Sequence, residues 1–140
     1  MDLARQKEEV GQAIEAGELA LKALENADHY LSSARGWGLF DLFGGGAFSS
    51  FIKHQRLSQA QQAIDKAAYQ LRLFTRELND VVSVTPVSVQ VDTFIQLIDI
   101  FADNFFVDVL VQSKIANAQR QVAATKVELQ KALNALYRLR

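Results

Sequence analysis

Few side chains in this sequence are equipped for chemistry. There are two histidines, His29 and His54, and no cysteine. Imidazole is well suited to exchanging protons near neutrality or holding a metal, but neither histidine belongs to a His-Glu-x-x-His pair or any other paired metal motif. Asp28, His29, Asp41 and His54 could form a metal or acid-base centre only if folding made them converge. Asp99 and Asp103 stand one helical turn apart, yet a di-metal carboxylate site in a bundle also needs Glu and His from sister helices. They are read as a polar stripe or as partners for Arg or Lys of a neighbouring helix. No serine carries a local nucleophile signature. The sequence therefore predicts no catalytic residue, no metal site and no cofactor, and a protein that is not an enzyme.

The remaining candidate lies between residues 35 and 54, a stretch holding the only Trp, five of the seven Gly and four of the nine Phe. Gly44, Gly45 and Gly46 precede a predicted helix start, where backbone N–H groups can attract an anion, and Lys53 and His54 follow nearby. No Gly-Lys-Ser/Thr follows the run, so it is not a Walker loop, and it lacks the spacing and preceding strand of a dinucleotide fingerprint. A tight turn that only glycine tolerates is the simpler reading, and a partner-docking loop is the other. If the stretch has a function, its patch is Trp37, Asp41, Gly44, Gly45, Gly46, Lys53 and His54.

The string Gly38-Leu-Phe-Asp-Leu-Phe43 also has the composition of an interfacial membrane peptide. Against this stands a need elsewhere. Residues 91–112 are Phe-rich and apolar, but Asp92, Asp99, Asp103 and Asp108 argue against a membrane span, since a central aspartate costs about 2.5–3.5 kcal/mol on insertion scales. That segment reads as a buried helix needing a cover. Trp37, Leu39, Phe40, Leu42, Phe43, Phe48 and Phe51 are expected to supply it over Phe94, Ile98, Phe101 and Phe105. Membrane contact is the alternative.

At 140 residues the chain suits a single domain, 1–140, that buries roughly two-thirds of its unfolded surface. The formal net charge of -1 opposes a broadly basic nucleic-acid binder. Charge is unevenly placed: residues 1–28 sum to -4, 29–76 to +4, 77–113 to -6 and 114–140 to +5. Alternating blocks suit neighbouring helices with complementary faces, and a basic C-terminal tail bound to an acidic partner or a membrane is the other reading. The absence of cysteine and of an apolar signal core behind Met1 points to the cytoplasm.

The elements that must carry these residues are helical. Leu3, Val10, Gly17, Leu24 and Leu31 recur at intervals of seven, with Ile14 and Leu21 on an adjacent row, which predicts a helix over 3–33 capped by Asp2. Gly17 falls on that stripe and would let a second backbone approach. Asp28 continues the Ile14 and Leu21 row, so it is either exposed or paired. A second helix is expected over 50–81 with Ser49 or Ser50 as N-cap, and Leu57, Ala60, Ile64, Ala67, Leu71, Phe74, Leu78 and Val81 form its seam by alternating steps of three and four. Residues 35–49 are then an insert between the first two helices. Pro86 and the β-branched residues around it break the pattern. Ile115, Ala118, Val122, Thr125, Leu129, Ala132, Leu136 and Leu139 restore it over 113–139. The segment 91–139 is either one long helix with a stutter or two helices.

Three such seams predict an all-α fold, an antiparallel coiled-coil-like bundle of three to four helices. The strings Ser33-Ala-Arg-Gly-Trp-Gly-Leu-Phe-Asp-Leu-Phe-Gly-Gly-Gly46, Ile52-Lys-His54, Phe105-Phe106-Val-Asp108 and Val111-Gln-Ser-Lys-Ile115 resemble a group of uncharacterised bacterial helical proteins with a Trp-Gly…Asp…Gly-Gly-Gly…Lys-His pattern. That resemblance implies that the insert belongs with the helices around it, and it brings no activity or cofactor. The expected function is a non-catalytic interaction or scaffold protein, with a protein partner or self-association through a seam left exposed. A peripheral membrane protein is the alternative, and a small-ligand or metal-binding bundle follows, although no small-molecule substrate is evident.

Overall fold

The computed structural model describes residues 3–42, 47–84 and 115–140, with side chains at 3–33, 55, 57–84 and 115–140. These residues form three helices, α1 (Leu3–Leu42), α2 (Ala47–Val84) and α3 (Ile115–Leu139), and no strand occurs among them. At 1.5 Å per residue, α1 and α2 are each nearly 60 Å long and α3 about 38 Å. The fold is an all-α bundle in which α1 is the shared element, packing against both α2 and α3.

Cross-helix contacts fix the directions. Near the start of α1, Gln6 Nε2 donates to the carbonyl oxygen of Val84 at the end of α2, at 2.9 Å, so α1 and α2 run antiparallel. The same bond satisfies one of the carbonyls that a helix C-terminus leaves without an internal partner. On the other flank, Gln119 Nε2 donates to Ser32 Oγ at 3.1 Å, and Tyr137 Oη to Glu18 Oε1 at 2.9 Å. These contacts make α1 and α3 antiparallel too. It follows that α2 and α3 run parallel, each an antiparallel neighbour of α1. The end of α2 and the start of α3 thus lie at opposite ends of the bundle.

The seams explain why these segments pack. All eight predicted seam residues of α2 are buried, as are Ile115, Ala118, Val122, Thr125, Leu129, Ala132 and Leu136 of α3. Thr125 is tolerated inside because its hydroxyl donates to the Gln121 carbonyl one turn back, at 2.7 Å, which removes the cost of an unpaired buried polar group. On α1, Val10, Ile14, Leu24 and Leu31 are buried together with Ala13, Ala20, Ala23 and Ala27. Alanine leaves little bulk on that face, so neighbouring helices can approach closely. The seam frays at two helix termini, Leu3 and Leu139, which are exposed.

Several expectations need correction. The first helix does not stop at Ser33 and α2 does not begin at residue 50; most of the predicted 35–49 insert is helical backbone at the end of α1 and the start of α2. Gly36 and Gly38 each cost about 1 kcal/mol against Ala, but once a helix is nucleated every further residue adds a hydrogen bond, and no proline interrupts the run. Ser49 and Ser50 consequently sit within helical α2 and do not cap it. At Gly17 the close neighbours are side chains, not a second backbone: a Cβ there would lie 2.6 Å from Leu133 Cδ2 and 2.9 Å from Phe74 Cε1. The predicted cap Asp2, the Phe-rich segment 91–112, the continuity of 91–139 and the proposed aromatic cover all rest on residues or side chains outside those described.

Candidate functional site

The structure places the backbone of four patch residues. Trp37 and Asp41 lie in the last turns of α1, and Lys53 and His54 in the second turn of α2. The register is set where Gly17 of α1 faces Phe74 of α2. Twenty residues forward along α1 and twenty back along α2 bring Trp37 level with His54, beside Lys53. Asp41 lies one turn beyond, toward the close of the α1–α2 hairpin. Helix continuity therefore does what the sequence alone did not require, setting Trp37 and the Lys53-His54 pair at one height on adjacent antiparallel helices. The side chains of these four residues, and Gly44, Gly45 and Gly46 entirely, lie outside the described residues.

The convergence considered for Asp28, His29, Asp41 and His54 does not hold along the axis. His29 lies eight residues before Trp37 on α1, a separation of about 12 Å at 1.5 Å per residue. Its side chain is exposed, and its ring meets that of Tyr30 edge-on, with centroids 5.5 Å apart and planes at 68°. Asp28 is half-buried on the flank of the core, between the two outcomes expected for it. Asp99 and Asp103 lie outside the described residues.

A second constellation, not anticipated from the sequence, lies toward the opposite end of the hairpin. Carboxylate oxygens of Glu9 on α1 and of Glu77 and Asp80 on α2 lie within 4.8 Å of one another. Glu77 and Asp80, three residues apart, share a face of α2; antiparallel pairing brings Glu9 to them. No local motif marks this grouping, because Glu9 lies far from Glu77 and Asp80 in the chain. Glu9 and Glu77 are half-buried and Asp80 is exposed; Oε2 of Glu77 is enclosed and has no hydrogen-bond partner. Three carboxylates could supply part of the oxygen shell of a hard divalent cation, with water completing it.

Tyr137 marks the other flank of α1. Burial, followed by its hydrogen bond to and the negative charge of Glu18, holds the phenol above its ordinary value of 10.0, with Arg140 pulling weakly the other way. The guanidinium of Arg140 lies 5.4 Å from the centre of the Tyr137 ring, within cation–π range. At neutral pH this phenol serves as a hydrogen-bond donor tying α3 to α1.

Comparison with known protein families, curated proteins and solved structures finds no match for this chain. Among the described residues, no helix is long and apolar enough to cross a membrane.

Proposed function

We propose that this chain is a non-catalytic helical interaction protein of the cytoplasm that self-associates or docks a protein partner through apolar positions at one end of its bundle. The observation that carries this reading is the fate of the seams there. The Glu18–Tyr137 contact puts the end of α3 beside the middle of α1's first half, so α1 continues for about three turns beyond it. In that region α1 pairs with the last turns of α2. Leu3 is 70% exposed and Val82 42%, while Leu139, at the end of α3, is 39% exposed. Leu3 and Leu139 continue the seven-residue stripes that are buried along the rest of α1 and α3. Side chains that would join a core if a further helix reached them are suited to contact with another chain.

Sedimentation at several concentrations tests this, comparing the wild type with a Leu3→Ser, Val82→Ser, Leu139→Ser triple variant. Concentration-dependent association that weakens in the variant while its helicity is retained is the expected result. A wild-type protein that remains monomeric throughout the range removes self-association, and pull-downs that lose no partner in the triple variant would remove this end as the docking surface.

A further inference from the structure

We draw no further inference here: the strongest candidate, the cluster of Glu9, Glu77 and Asp80 where the start of α1 meets the end of α2, rests on the proximity of its carboxylates alone, since Glu77, whose enclosed oxygen lacks a hydrogen-bond partner, still reaches solvent and no second feature there points to a ligand.

Discussion

Gly11 and Gly17 occupy the same helix less than two turns apart, and their surroundings differ completely. Around Gly11, which is exposed, a Cβ would meet nothing within 4 Å. At Gly17, which is buried, it would press into Leu133 of α3 and Phe74 of α2. One glycine only weakens the helix, whereas the other is the notch in which three helices meet. The comparison shows how little a residue type says about its cost or use until its neighbours are known. It also locates a point on α1 where added volume presses on both interfaces at once.

The largest effect is expected from emptying the junction. Phe74 is fully buried, and Phe74→Ala should lower stability by about 3–5 kcal/mol through lost transfer energy and the cavity left behind. Chemical denaturation measures this directly; a loss below about 1 kcal/mol would mean that the junction collapses freely around the gap. Filling the notch should come next. Gly17→Ala gains about 1 kcal/mol of helix propensity but suffers overpacking of about 1–3 kcal/mol, for a net loss of about 0–2 kcal/mol. The same substitution paired with Leu133→Ala should cost less than the two single changes added together, because the new methyl enters space that Leu133 vacates. Strict additivity in that double-mutant cycle would break the assignment of Leu133 to the notch.

On the solvent side the sign reverses. Gly11→Ala should raise stability by about 0.5–1 kcal/mol, from helix propensity and from the reduced freedom of the unfolded chain, and a rise in thermal midpoint would report it. Beside the junction, Tyr137→Phe should have the smallest effect, about 0.5 kcal/mol, as the tether to Glu18 is a single surface hydrogen bond. Its pH dependence is the sharper readout. The folded value of the phenol lies above its unfolded one, so the stabilisation is complete below pH 10 and is lost as pH rises through the folded value. Between pH 9 and pH 11.5 the wild type should therefore lose more stability than the variant. Equal losses would show that Tyr137 titrates without linkage to folding.

Much of the architecture was legible because burial follows periodicity. Alternating steps of three and four place side chains on one face of a helix, and the α2 and α3 seams needed little beyond that rule, apart from the exposed terminal Leu139. The same rule could not assign the helix boundaries: Arg35 to Leu42 contains two glycines and several large apolar residues, a composition equally suited to a loop, yet its backbone continues α1. Nor could it assign the helix directions or the helix order around α1. Periodicity says which face is buried but not against what.

The candidate sites divide on the same line. Trp37, Asp41, Lys53 and His54 stood out because their residue types are unusual for their surroundings, and composition alone was enough to mark them. Glu9, Glu77 and Asp80 did not, since acidic residues on an amphipathic helix are ordinary until two helices pair. By itself, the sequence determined that three segments are helical and which stripes they must bury, because side-chain spacing is set by the 3.6-residue turn. The tertiary structure alone decided that α2 and α3 run parallel to each other and antiparallel to α1, that Gly17 receives Leu133 and Phe74, and that Trp37 stands level with His54. These depend on register between segments distant in the chain, which is settled by how side chains of particular volume fit together and not by the pattern within any one helix.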